Sequence, residues 1–186
     1  MHDGQNLFDQ STSFAGEWQV DETMNRLHTE GDYGAIVVGI DNGGSKRINE
    51  LTPWVHEKYG GGEGDQYLQF IVETLKPYVD KNYRTRPEAE FTALMGSSLG
   101  ALISVYGAAK HPGVFSKIGS FSPAYWIVSP QLNDFIQNSN VDLSATRLYT
   151  VAGTRESETI LQEIEKVRTN LKSKGCLYTE KLDTDG

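Results

Sequence analysis

The chain has 186 residues, 38% hydrophobic and 23% charged, with one cysteine and a formal net charge of −8 at pH 7. That length and balance support a folded core and exclude a disordered or collagen-like chain. The acidic excess argues against a nucleic-acid or membrane-surface partner, a lone Cys176 excludes an internal disulfide framework, and no run approaches the ~18 apolar residues of a membrane span.

Residues 1–18 are polar and turn-rich, with Leu7, Phe8, Phe14 and Trp18 in no regular period. A long irregular loop at the start of a folded chain signals a functional loop. The opening Met1-His2-Asp3-Gly4 is not a secretory signal, which slightly favours a cytoplasmic location and leaves export open. Val20 to Glu30 reads as a short helix with Met24 and Leu27 inward. The continuous β-branched run Ala35-Ile36-Val37-Val38-Gly39-Ile40 predicts a strand buried on both faces, stopped by Asp41-Asn42-Gly43-Gly44. Residues 45–64 are a long connection carrying Trp54, His56 and Tyr59. Its glycine cluster, Gly60-Gly61-Gly62-Glu63-Gly64, has no Lys-Ser/Thr after it and is not a phosphate loop. A helix from Asp65 to about Tyr83 follows, apolar at Leu68, Ile71, Leu75 and Val79, with Pro77 placed to kink it.

Phe91 to Met95 reads as a strand, Ala101 to Lys110 as a helix apolar nearly all round, and His111-Pro112-Gly113 as its end. Lys117 to Phe121 is a short strand, Leu132 to Gln137 a short helix and Arg147 to Gly153 a strand. Residues 156–174 form an amphipathic helix closed by Gly175, and Leu177 to Leu182 a last strand. Strands alternating with helices give an α/β class with a mostly parallel sheet, in one domain.

Between the Phe91–Met95 strand and the helix after it stands Gly96-Ser97-Ser98-Leu99-Gly100, a G-x-S-x-G nucleophile elbow with Ser98 at its tip. A nucleophile on so tight a turn needs small residues two positions to either side, and Gly96 and Gly100 supply them. The helix start beside Ser98 offers free N–H groups to an oxyanion. The acid of a triad should follow a later strand, and Glu156 does, with Glu158 as the near alternative. The base is the difficulty. His111 is the one histidine after Ser98, roughly 20 Å away along the same helix at ~1.5 Å per residue. His56 as base would break the chain order of such triads, and His2 reads as an organiser of its own loop. No metal-ligand spacing occurs.

These stretches together resemble the esterase branch of the α/β-hydrolases, which includes feruloyl, acetylxylan and enterochelin esterases, S-formylglutathione hydrolases and mycolyltransferases. The matching segments are Met1 to Phe8, Gly16-Glu17-Trp18, Gly39 to Asn42, Leu51-Thr52-Pro53-Trp54, Leu75 to Asp80, Gly96 to Gly100, His111 to Phe115, Ser120 to Pro123 with Trp126, and Gly153-Thr154-Arg155-Glu156. The resemblance implies an α/β-hydrolase fold with helices on both faces of the sheet. It implies Ser98 as nucleophile, Glu156 as acid, and the backbone N–H groups of Leu99 and Gln5 as the oxyanion hole. Trp54, Tyr125 and Trp126 would line the substrate pocket. It also implies that the chain lacks the first strands and the segment with the catalytic histidine, which would lie past Gly186. The function so implied is a serine carboxylesterase without cofactor, acting on a small-molecule or carbohydrate-linked ester, with acyl transfer as a close variant. A non-catalytic binding or scaffold domain of the same fold is the alternative that a missing base would favour.

Overall fold

The computed structural model describes residues 1–184. Its elements in chain order are α1 (Val20–Thr29), α2 (Arg47–Leu51), the paired strands β1 (Val55–His56) and β2 (Gly60–Gly61), α3 (Gly64–Phe70), α4 (Lys76–Asn82), β3 (Ala93–Ser97), α5 (Leu99–Lys110), β4 (Lys117–Phe121), α6 (Ser129–Asn138), β5 (Arg147–Gly153), α7 (Glu158–Ser173) and β6 (Leu177–Asp183). The last four strands form a parallel sheet in the order β3-β4-β5-β6. This is an α/β-hydrolase-type fold.

Strand order explains the layering. Each strand is added on the same side of the one before, and right-handed crossovers then carry α5, α6 and α7 to one face. The inward positions Leu94, Ile118, Leu148 and Ala152 are buried there against Leu102, Ile103, Leu132, Ile136, Ile164 and Val167. Helix α5 is buried on every side from Leu99 to Ala109 because α2 and α3 pack on its back through Leu51 and Leu68. At Gly107 a side chain would stand 2.9 Å from both Leu68 Cδ2 and Leu94 Cδ1, so the glycine lets strand, helix and outer layer close together.

The opposite face differs from the expected cover of helices. Residues 1–40 touch its carboxyl end, where Trp18 meets Phe121 edge-on at 5.4 Å. Away from that contact Ala93, Lys117, Tyr149 and Leu177 are exposed. The expected strand Ala35–Ile40 is also not formed. Its one bridge joins Ile40 to His2, and Ala35 and Ile36 are exposed because no ladder flanks them. Residues 1–4 lie between that segment and the sheet: Ile40 N–H donates to the Met1 carbonyl at 3.0 Å, Gly4 N–H to the Ile40 carbonyl at 2.8 Å, and His2 N–H to the Met95 carbonyl at 3.0 Å. The helix expected over 65–83 is continuous, but residues Ile71–Leu75 widen into a π turn between α3 and α4. Pro77 has no N–H to donate and its ring crowds the carbonyl of Glu73, so the wide turn relieves the clash without breaking the helix.

Candidate functional site

The site lies at the carboxyl ends of β3, β4 and β5, where α/β sheets place their ligands. Ser98 sits between β3 and α5 at φ 58°, ψ −115°. That is outside the regions an L-residue favours, and such strain persists only where the surroundings over-determine it. Here Ser98 N–H donates to the Phe121 carbonyl at 2.9 Å, and its carbonyl accepts from Leu102 and Ala124 at 3.2 and 3.1 Å. The glycines act as their spacing predicts. A Cβ on Gly96 would lie 2.8 Å from Gly100 Cα, so strand and helix touch backbone to backbone across the turn. A Cβ on Gly100 would lie 3.2 Å from His2 Cβ, so the second glycine seats the N-terminal loop on the first turn of α5.

A cleft of about 420 Å³ opens over Ser98. Its walls include Leu99, Arg47, Trp126, Ile160 and Glu156. Four of the sequence candidates, Ser98, Leu99, Trp126 and Glu156, thus share one cavity. Glu156 precedes α7 rather than starting it, because Ser157 is the cap, accepting the Ile160 N–H at 3.3 Å. The Glu156 carboxylate turns back to accept the Gly153 N–H at 3.2 Å. Glu158 sits exposed in the first turn of α7 and accepts from Gln162, so of the two carboxylates Glu156 is the one facing Ser98's cleft. Strand β6 delivers the chain beside this turn, with Thr154 N–H donating to the Asp183 carbonyl at 2.9 Å.

Leu99 is the first residue of α5, so its N–H has no carbonyl a turn behind it. Gln5 lies in a 3₁₀ turn, Gly4–Asn6, whose bonds run from Asn6 N–H to Asp3 and from Leu7 N–H to Gly4 and leave the Gln5 N–H out. The Gln5 side chain is engaged elsewhere: Nε2 donates to the Asn42 carbonyl at 2.8 Å and Oε1 accepts the Asn42 N–H at 3.1 Å.

Two expected pocket residues lie elsewhere. Tyr125 is fully buried in the core, its hydroxyl 2.9 Å from Ser120 Oγ. Trp54 packs edge-on against Tyr106 at 5.0 Å and beside Phe135, behind α5 rather than on the cleft wall. Spacing could not tell which way either ring turns. Among the described residues no histidine lines the cleft. His56 uses Nδ1 to accept the N–H groups of Lys58 and Tyr59 at 3.0 and 3.3 Å, which makes it the cap of the β1–β2 turn. His111 ends α5, and His28 is exposed on α1. His2 is buried with Nδ1 2.7 Å from Tyr67 Oη, and burial above all holds its imidazole well below the usual histidine range. The histidine expected past Gly186 lies outside the described residues.

Sequence reasoning missed Arg47. It lines the cleft and makes a bidentate pair with Asp3, Nε to Oδ1 at 2.7 Å and Nη2 to Oδ2 at 2.8 Å. An arginine at the start of a five-residue helix, far along the chain from its partner, leaves no pattern to read. It also missed the contact of Tyr59 with Trp126, edge-on at 5.9 Å.

A family model described as "Putative esterase" matches residues 1–174. The uncharacterized protein YbbA of Bacillus subtilis is 30% identical over 78% of this chain and 64% of its own length. The siderophore enterobactin esterase of Emericella nidulans is 28% identical over 59% of this chain and 37% of its own. Among solved structures, the enterobactin esterase FES of Shigella flexneri superposes with a TM-score of 0.74 at 19% identity, covering 98% of this chain and 45% of that one. The chain therefore spans under two thirds of the length of these relatives.

Proposed function

The chain belongs to the esterase family, and from that premise we propose that it forms the core of a serine carboxylesterase. The observation that carries the reading is a serine held at φ 58°, ψ −115° in a cleft it shares with Glu156. Strain of that kind, at a helix start with free N–H groups, exposes a nucleophile to an ester carbonyl.

In the proposed cycle Ser98 Oγ attacks the carbonyl carbon. Its proton passes to a histidine supplied after β6, where the chain emerges beside the Gly153–Glu156 turn. Glu156 orients that imidazole and stabilises its charged form. The N–H groups of Leu99 and Gln5 hold the oxyanion of the tetrahedral intermediate. The histidine then protonates the leaving alcohol, and water, activated by the same base, releases the acid from the acyl-serine. An alcohol in place of water would give acyl transfer. The cycle calls for no cofactor. The substrate class is a small-molecule or carbohydrate-linked acyl ester. The enterobactin esterases among the relatives support the small-molecule side of that range. The test is covalent labelling of the full-length protein by a fluorescent organophosphonate. Wild type should label and turn over an aryl ester, and Ser98→Ala should do neither. Labelling that persists in Ser98→Ala removes Ser98 from the mechanism, and an unlabelled, inactive wild type favours a binding domain.

A further inference from the structure

We infer that the Arg47–Asp3 ion pair is a positioning device that holds the Gly4–Asn6 turn, and with it the Gln5 N–H proposed for the oxyanion, in one place. The inference rests on the esterase reading above. Gln5 is not held by regular structure. It sits in a single 3₁₀ turn entered through Asp3, which adopts the left-handed conformation, φ 56°, ψ 52°, that a residue with a Cβ disfavours. A turn of that kind needs external ties to keep one shape.

The ties converge from two sides. Arg47 grips both oxygens of the Asp3 carboxylate, and Asn42 Nδ2 adds a third bond to Oδ1 at 2.7 Å. Asn42 in turn holds Gln5 by the two-way pair between its backbone and the Gln5 amide. Gly4, between the two anchored residues, is pressed onto the 39–41 backbone so closely that a Cβ would stand 2.9 Å from the Gly39 and Ile40 carbonyl carbons. Asp3 Oδ2 also lies 3.7 Å from the place a Cβ on Gly100 would take, so the same carboxylate registers the loop against the turn that carries Leu99. The two N–H groups proposed for the oxyanion belong to segments distant in the chain; Asp3 is part of one, and its carboxylate lies beside the other. A planar guanidinium fixes a carboxylate in plane and direction, which a lysine point charge does not. The pair is well shielded, with side-chain exposures of 23% for Arg47 and 9% for Asp3, so solvent does not compete strongly for either partner.

A positioning role predicts a particular kinetic pattern. In the full-length enzyme Arg47→Met should lower kcat by about 10²-fold, the cost of one misplaced oxyanion donor, with KM for an aryl ester changed less than about threefold. Affinity for a trifluoromethyl ketone, whose adduct puts an oxyanion in the same place, should fall by the same factor as kcat/KM. Arg47→Lys, which keeps one bond to Asp3, should recover part of kcat. Arg47→Met leaves the Asp3 carboxylate unpaired and could impair folding, so the neutral pair Arg47→Met/Asp3→Asn is measured alongside it. The double variant should be no slower than Arg47→Met alone, because the two residues act as one unit. Arg47→Met and the double variant both within twofold of wild-type kcat would overturn the inference. So would a raised KM at unchanged kcat, which would make Arg47 a direct substrate contact. An inactive wild type would overturn the esterase reading itself, and the inference with it.

Discussion

The backbone of Ser98 offers a measurable trade between stability and chemistry. At φ 58°, ψ −115° a side-chain-bearing residue is strained, and residues in such regions cost ~1–3 kcal/mol each. Glycine takes this conformation freely. Among the described residues the Ser98 hydroxyl makes no hydrogen bond, so removing it sacrifices no contact within the fold. Ser98→Ala keeps the Cβ and hence the strain, whereas Ser98→Gly releases it. Against that release stands the larger entropy of an unfolded glycine, ~0.4–1 kcal/mol. The net should favour Ser98→Gly over Ser98→Ala by about 1 kcal/mol, or about 2–4 °C in Tm for a chain of this size. Parallel thermal melts of the two variants by circular dichroism read the difference directly. A glycine variant that melts at or below the alanine variant would refute the view that the elbow is held under strain by the surrounding fold.

Two further outcomes follow from the geometry. Glu156→Gln should reduce kcat by about 10³–10⁴-fold, as loss of a triad carboxylate does, while Glu158→Gln should stay within twofold of wild type; steady-state ester hydrolysis by the full-length protein separates them. His2 titrates near 6.5 when unfolded and well below that when buried. The unfolded chain therefore takes up the proton first, so the stability His2 contributes is whole above about pH 6.5 and is lost as pH falls below it. The slope is at most about 1.4 kcal/mol per pH unit. Urea midpoints at about pH 7.5 and about pH 5.5 should drop more for wild type than for His2→Gln; equal drops would mean that His2 stays neutral in both states.

What could be read in advance was whatever depended on neighbours in the chain. The elbow was legible because Gly96 and Gly100, the residues that must be small, stand in one pentapeptide with Ser98, and their contact confirms why. Helix α7 showed its apolar stripe at Ile160, Ile164, Val167 and Leu171, but its start was read at residue 156, and Ser157 as the cap that leaves Glu156 outside was not. Ala35–Ile40 misled because an apolar run states a wish for burial, not the presence of strands to pair with. Trp54 and Tyr125 were placed on the cleft by their segments, yet a ring's direction is set by packing against Tyr106, Phe135 and Ser120. The Asp3–Arg47 pair and the Tyr59–Trp126 contact had no local signal, since each joins parts of the chain more than forty residues apart.

The way residues 1–4 thread between Ile40 and Met95 also bears on the order in which the molecule comes together. β3, α5 and β4 are contiguous in sequence, and the nucleophile turn forms within that short unit. The N-terminal strip must instead find Met95 across a loop of more than ninety residues. Closing a long loop is slow and is rewarded only once the contact is made. The elbow with the Leu99 N–H is therefore assembled early, and the Gln5 N–H is brought in when the strip zips in. A refolding chain would regain its sheet and its serine turn before residues 1–4 dock onto Met95.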